Sequence, residues 1–235
     1  MQTLRAGLAA LVIGVATALV LIAVSILPFL NPLWVGFEQQ RADAAGWTGY
    51  TPADLQAATN AILGDLVVGP PDFDVTVNGV AVLDPREQAH MRDVRTVFVG
   101  FYLVAAVALI VLIGAALVAR ATGTRSVLWR RIARGALATG IATIASGIVA
   151  VTSFDTAFEV FHELFFPPGS FLFDPRTDRL VQLFPEQFWM ETSMAVGAVI
   201  VVLSFAVAFI GRRRAAAIDA RQARTPGALN AVPIR

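Results

Sequence analysis

Histidine occurs twice in the 235 residues and cysteine not at all. His90 sits in Glu87-Gln88-Ala89-His90-Met91-Arg92-Asp93, just before a long apolar run. His162 sits in Phe161-His162-Glu163-Leu164-Phe165-Phe166, just after another. If both runs cross a bilayer, both imidazoles lie at the same face of it. Histidine is the side chain whose ordinary pKa lets it exchange protons near neutral pH. Three readings of the pair stand. In the first, each imidazole hydrogen-bonds a neighbour at the interface and does nothing else. In the second, Glu87-x-x-His90 and Glu159-x-x-His162, joined by carboxylates such as Glu38 and Glu191, form the ligand pattern of a di-iron bundle. In the third, the imidazoles act as acid and base on an ester or amide. One takes the proton of the attacking group and the other serves the oxyanion or the leaving oxygen. With no cysteine and no Gly-x-Ser-x-Gly elbow, the nucleophile of that third reading belongs to the substrate.

The elements that must position these residues follow from composition. Hydrophobic residues make up 57% of the chain and charged residues 15%, with a mean hydropathy of +0.69. Four apolar stretches, near 8–30, 97–118, 135–151 and 194–210, approach the roughly 20 residues that span a bilayer as a helix. The first is longer than the roughly 7–15 apolar residues of a signal peptide and is followed by Pro28, Asn31 and Pro32, so it reads as a retained span. Net charge is +1 and all 18 basic residues are arginine, so nothing points to nucleic acid. Five arginines and no acid lie between Arg120 and Arg134, and six arginines follow the fourth span. The segments 31–95 and 153–193 carry nine acids against four arginines and seven against two. Cationic loops stay in the cytoplasm, so both termini are expected there and the acidic regions outside. Trp34 and Trp189 then fall at the outer boundary and Trp129 at the inner one.

In the first outer region, Thr51-Pro52-x-Asp54 starts a helix with Leu55, Ala58, Ile62 and Leu66 on one face, stopped by Gly69-Pro70-Pro71. Phe73, Val75 and Val77 alternate as a strand. Asn78-Gly79 signals a hairpin returning through Val80 and Val82. Asp84-Pro85-x-Glu87 starts a helix with a capping box, and Glu87, His90 and Asp93 share its face. In the second outer region, Asp155, Glu159 and His162 share a helix face. Phe154, Phe158, Phe161, Phe165 and Phe166 cover the rest, which fits either a surface dipping into the outer leaflet or plain packing on the helix ends.

Taken together, Glu87-x-x-His90-Met91-x-Asp93-Val94, Phe161-His162-x-x-Phe165-Phe166, Asp174-Pro175-x-Thr177-Asp178-x-Leu180 and Pro185-Glu186-x-Phe188 resemble the bacterial lipoprotein intramolecular transacylase family of integral membrane proteins, over nearly the whole chain. The resemblance implies movement of the sn-2 acyl chain of a diacylglyceryl lipoprotein to the α-amino group of its N-terminal cysteine. The product is a lyso-form lipoprotein, with no cofactor and no covalent enzyme intermediate. Diacylated lipoproteins and membrane lipid are the implied partners, and the family's two essential histidines map onto His90 and His162. His162 is the expected base, and His90 the group serving the oxyanion or the departing oxygen. Asp93 and Glu163 are the candidates to orient them, Arg92 is a candidate to hold lipid or oxyanion, and Glu87 and Glu159 are supporting residues. The chain departs from the family at Pro167-Pro168-Gly169-Ser170-Phe171, where a polar stretch ending in tryptophan is expected.

The expectation is an all-α protein of the bacterial plasma membrane: four transmembrane helices with a small α+β extracytoplasmic cap. Its parts are a first span over 1–30, a cap over 31–95, a second span over 96–119 and a basic cytoplasmic loop over 120–134. A third span extends outward over 135–166, an outer loop follows over 167–190, a fourth span covers 191–211 and a basic cytoplasmic tail covers 212–235. A metal-binding or non-enzymatic accessory membrane protein using the Glu-x-x-His pair is the alternative.

Overall fold

A computed structural model describes residues 2–224. Among the described residues, four helices are long and apolar enough to cross a membrane: α1 (Gln2–Ile26), α5 (Pro85–Ala121), α6 (Arg125–Thr152) and α9 (Glu186–Arg224). Between them run α2 (Pro32–Arg41), α3 (Ala44–Thr48), α4 (Pro52–Val67), the strands β1 (Thr76–Val77) and β2 (Val80–Ala81), α7 (Phe154–Phe165) and α8 (Arg179–Leu183). At ~1.5 Å per residue a helix as long as α5 exceeds the ~30 Å hydrocarbon layer by many residues. Its polar first turns, which carry His90, therefore lie outside the apolar stretch.

The chain divides into two compact units, and each long helix contributes residues to both. One unit comprises residues up to 23, 104–144 and from 199 on. Ile13, Ala119 and Leu128 pack together in it, as do Leu21, Ala136 and Ala208. In lipid, helices associate by close packing of small residues rather than by hydrophobic burial, and that is how α1 and α6 meet here. A Cβ built on Gly135 would lie 2.7 Å from the Gly14 Cα. The Gly135→Ala variant is therefore expected to lose about 1–3 kcal/mol, the usual cost of overpacking. Gly114→Ala, where a Cβ meets nothing within 4 Å, should lose none. Thermal unfolding of the two variants in the same detergent checks this.

The other unit comprises residues 24–103 and 145–198. Its core gathers Val35, Leu55, Ala58, Ile62, Phe73, Val75, Val77, Val82, Leu83, Met91, Leu180, Leu183, Phe184 and Phe188. Helix α4 starts as its sequence dictates: the Thr51 side chain caps it, accepting from the Asp54 amide. The buried Gln39 ties three elements together. It donates to the Leu183 carbonyl (3.0 Å) and accepts from the Thr59 hydroxyl (2.8 Å).

The strand content of this unit is smaller than expected. The alternating burial of Phe73, Val75 and Val77 is present, but the antiparallel ladder holds only two residues per strand, paired Thr76 to Ala81 and Val77 to Val80. Asn78 and Gly79 both take positive φ, 53° and 76°, as a two-residue hairpin turn with the twist of the flanking strands requires.

Three expected boundaries shift. The basic stretch 120–134, expected as a loop, is mostly helix. Gly123, at φ 72°, reverses the chain in a three-residue turn, so Arg125, Arg130, Arg131 and Arg134 ride on α6. The helix expected over 135–166 is two helices. The Thr152 hydroxyl bonds back to the Ile148 and Val149 carbonyls (3.1 and 3.0 Å), and Ser153 leaves helical geometry. Short side-chain donors that compete with the backbone bend or end helices in this way. The fourth helix continues through Arg224, well past 211; the rest of the basic tail expected over 212–235 lies outside the described residues.

Candidate active site

The site forms where the start of α5 meets α7, within the second unit. Asp84 caps α5 and closes a reciprocal box with Glu87. The Asp84 side chain accepts from the Glu87 amide (2.8 Å), and the Glu87 side chain accepts from the Asp84 amide (2.7 Å). The other Glu87 oxygen accepts from the amide of Leu180, 2.6 Å away and 93 residues on in the chain. Glu87 is buried to 1% exposure. A carboxylate accepts up to four hydrogen bonds; this one uses both oxygens on backbone, pinning the start of α8 to the helix that carries His90.

The loop so pinned is itself braced. Asp178 accepts from the Asp174 amide (2.8 Å) and from Arg86 (3.2 Å). It carries Phe173, whose ring lies 5.4 Å from that of His90 and edge-on to it. Phe166 lies 4.9 Å from His90 on another side. His162, one turn before the end of α7, stacks on His90 with ring centroids 5.9 Å apart and planes 23° from parallel. Phe158, Phe161, Phe166 and Phe171 surround it at 4.1, 5.4, 5.3 and 5.2 Å. Both imidazoles are buried. Two proton carriers thus face one another inside a wall of phenylalanine rings, where electrostatic interactions are strong because water is excluded.

The His162 tautomer follows from its partner. Its Nδ1 lies 2.7 Å from the Phe158 carbonyl, which can only accept, so Nδ1 carries the proton and Nε2 keeps its lone pair. Burial holds this imidazole below its ordinary pKa of 6.5, opposed by the Phe158 hydrogen bond. At pH 7 it is neutral and a competent base. His90 Nδ1 is buried and has no hydrogen-bond partner among the described residues.

The lowered pKa has a stability consequence. Unfolded His162 binds a proton as pH falls through about 6.5, while the folded protein resists it until its lower pKa is reached. Stability is therefore full above 6.5 and falls as pH drops through the interval between the two values. The midpoint temperature in detergent should fall between neutral pH and pH ~5, and His162→Phe should remove part of that slope. An unchanged slope in that variant would contradict the burial-driven shift.

The other expected site residues are placed variously. Glu87 braces the loop beside the pair, and Asp93, half-buried three residues past His90, acts on it through its charge with no hydrogen bond between them among the described residues. Arg92 is exposed and donates to the Asp72 carbonyl (3.2 Å). Glu159 and Glu163 are exposed on α7; the group that orients His162 is the Phe158 carbonyl. The di-iron ligand set does not assemble either, since no group of three or more His, Asp or Glu converges among the described residues. Glu191 accepts from Arg41 and Gln187 instead. Buried Glu38 lies beside that pair, its carboxyl held above the usual range by burial and by Glu191.

Sequence reasoning missed Phe171 and Phe173 as walls of the site and the carbonyl at Phe158. The last was legible in principle, because residues i and i−4 are neighbours on a helix.

Comparison with known proteins adds an independent line. The family model described as "Lipoprotein intramolecular transacylase Lit" matches residues 11–189. An uncharacterized protein of Aquifex aeolicus is 28% identical over 134 residues, which is 57% of this chain and 58% of that protein. Three solved structures of the membrane-integral lipoprotein intramolecular transacylase from Bacillus cereus share the fold. A histidine-to-alanine variant matches with a TM-score of 0.72 at 18% identity, covering 90% of this chain and 94% of that one. A second structure matches with a TM-score of 0.67 at 17% identity, covering 94% and 99%.

Proposed function

Because this chain belongs to the lipoprotein intramolecular transacylase family, we propose that it is a multi-pass membrane acyltransferase. It moves the sn-2 acyl chain of a diacylglyceryl lipoprotein to the α-amino group of the N-terminal cysteine. The observation that carries this reading is the buried imidazole pair, 5.9 Å between ring centroids, with the Nε2 lone pair of His162 left for a proton.

In the proposed reaction the cysteine amine attacks the sn-2 ester carbonyl. A C–N bond forms, the C–O bond to glycerol breaks, and one proton passes from nitrogen to the departing oxygen. His162 Nε2 takes the amine proton. His90 supports the oxyanion, its unpartnered Nδ1 being satisfied only when substrate is present. Amine and ester belong to one molecule, so holding them in register supplies much of the acceleration; effective molarities of ~10⁵ M and above are known for well-aligned groups. No external acid, base or oxidant is consumed. Glu87 acts as a positioning residue, through the loop it fixes rather than through contact with substrate.

Two features suit a lipid-borne substrate. Helix α7 leaves Phe161, Leu164 and Phe165 exposed beside the site, and Leu172 is exposed in the loop that follows. Its acids Asp155, Glu159 and Glu163 recur at helical spacing, so α7 has the two faces of an interfacial helix. The acidic outer segments and the arginine-rich opposite ends favour an outward-facing site with both termini in the cytoplasm. The departure at 167–171 is a tight turn. Ser170 bonds back to the Pro167 carbonyl (2.9 Å), Gly169 takes φ 81°, and Phe171 is delivered to His162. That wall contact is therefore apolar in this protein.

The test uses a diacylated lipopeptide with isotope-labelled sn-2 acyl chain, in vesicles with the purified protein. Mass spectrometry should find the label on the cysteine amine and a free sn-2 hydroxyl. An amine that stays free of any acyl chain while the protein is folded and inserted would overturn the reading; an unlabelled acyl chain on the amine, with the label still on glycerol, would correct the regiochemistry.

A further inference from the structure

We propose that a groove between α1 and α6, in the first unit, binds one anionic phospholipid, with its phosphate on Arg131 and Arg134 and an acyl chain along the groove. The inference does not rest on the acyl-transfer reading.

The groove has a volume of about 440 Å³ and is lined by Ala10, Gly14 and Ala18 of α1 and by Arg131, Arg134 and Ala138 of α6, among others. That volume is in the range of small-molecule sites, ~300–1,000 Å³. Its floor is the contact of α1 and α6 at Gly14 and Gly135. Glycine and alanine supply most of the rest of its lining, with Leu11 and Val15 beside them on α1, so much of its depth comes from side chains that the sequence keeps small.

The cations are at one end only. Arg131 and Arg134 are three residues apart and share a helix face. Arg131 reaches the Ala6 carbonyl (3.4 Å), which holds its guanidinium across the start of α1 and leaves its other donors unspent. Neither Arg131 nor Arg134 has an Asp or Glu within ion-pair distance among the described residues. Their neighbour Arg130 differs: it is neutralised by Asp219 at 2.6 Å. Two unneutralised guanidiniums at the head of an apolar groove complement a molecule with an anionic phosphate at one end and a hydrocarbon chain behind it. The planar guanidinium suits phosphate in a two-pronged mode, and basic pockets between spanning helices are a recurrent setting for anionic headgroups. A soluble anion leaves the groove unfilled, and a peptide would have no partners for its backbone amides there.

The experiment is native mass spectrometry of the full chain released from nanodiscs containing equal parts phosphatidylglycerol and phosphatidylcholine. The wild-type protein should retain one phosphatidylglycerol in preference to phosphatidylcholine. Arg131→Gln with Arg134→Gln should weaken that binding about thirtyfold, from two phosphate contacts near the membrane surface. Arg120→Gln with Arg125→Gln removes the same charge outside the groove and should leave it unchanged. Ala138→Phe keeps both cations but fills the groove, and should abolish retention. Excess inorganic phosphate should not displace the lipid. Equal losses in both arginine pairs would show general charge attraction. Retention by Ala138→Phe, or displacement by phosphate, would show a headgroup or anion site without chain binding. Each of these results overturns the proposal.

Discussion

The His162→Ala variant is expected to transfer acyl chains about a thousandfold more slowly than the parent while remaining folded and inserted. General-base catalysis by a positioned side chain contributes ~10²–10⁴, and His90, the other imidazole in the enclosure, is assigned to the oxyanion rather than to the amine proton. The acids on the same helix, Glu159 and Glu163, are exposed. His90→Ala should cost ~10²–10³, as loss of an oxyanion donor does. The double variant should be little worse than His162→Ala alone, because residues that act as a unit lose their effects together. Single-turnover labelling in vesicles separates these cases, since it reads the chemical step apart from lipid exchange. If either single variant keeps a tenth or more of the parent rate, the acid–base pair is not the catalytic device. In that event the geometry would be structural.

Glu87→Leu is expected to give the largest loss of stability of any single change at the site. Leucine fits an apolar pocket but leaves the amides of Asp84 and Leu180 without acceptors. A donor stranded in this way costs about 1–3 kcal/mol when buried and less when part-buried, as at Asp84, so the loss is roughly 2–4 kcal/mol. Glu87→Gln keeps one oxygen and should lose about half as much. The site should feel the change through the loop. With Leu180 released, the loop carrying Phe171 and Phe173 loses its anchor, and activity should fall even in detergent conditions where the protein stays folded. Hydrogen exchange followed by residue distinguishes this from general destabilisation. The amides from 174 to 184 should exchange faster in Glu87→Leu, whereas those of residues 104–118 in α5 should not. Uniform acceleration throughout the chain would mean that Glu87 contributes to global stability alone.

Much of the architecture was readable without coordinates. Apolar runs of spanning length permit little besides helices, because lipid offers no partner for a bare amide. The starts of α4 and α5 follow from Thr51-Pro52 and Asp84-Pro85-x-Glu87, since a cap needs only residues within one turn. The Asn78-Gly79 turn is equally local. Where the reading went astray, competition between local and wider preferences was at work. The helix expected over 135–166 runs through Thr152 and Ser153, and its break falls where the Thr152 hydroxyl bonds back to the Ile148 and Val149 carbonyls. The basic run 120–134 looks like a loop by charge, yet one glycine suffices to turn the chain, and arginine is a good helix former.

The two histidines could be nominated from their rarity and from their matched positions beside apolar runs. Their meeting could not, because it depends on how α7 lies against α5, and no residue within a turn of either one encodes that. The same is true of Glu87. Its spacing to Asp84 announces a capping box, which accounts for one oxygen. The other oxygen is committed to an amide 93 residues away, and that commitment turned a suspected ligand into a brace. The sequence by itself determined the four long apolar helices, the starts of α4 and α5 and the two candidate histidines, because each rests on composition or on contacts within a turn or two. Tertiary structure decided which rings enclose the pair, which tautomer His162 keeps and which acids stay outside. Those outcomes depend on contacts between segments far apart in the chain, where burial and hydrogen bonding are settled only once the whole unit has packed.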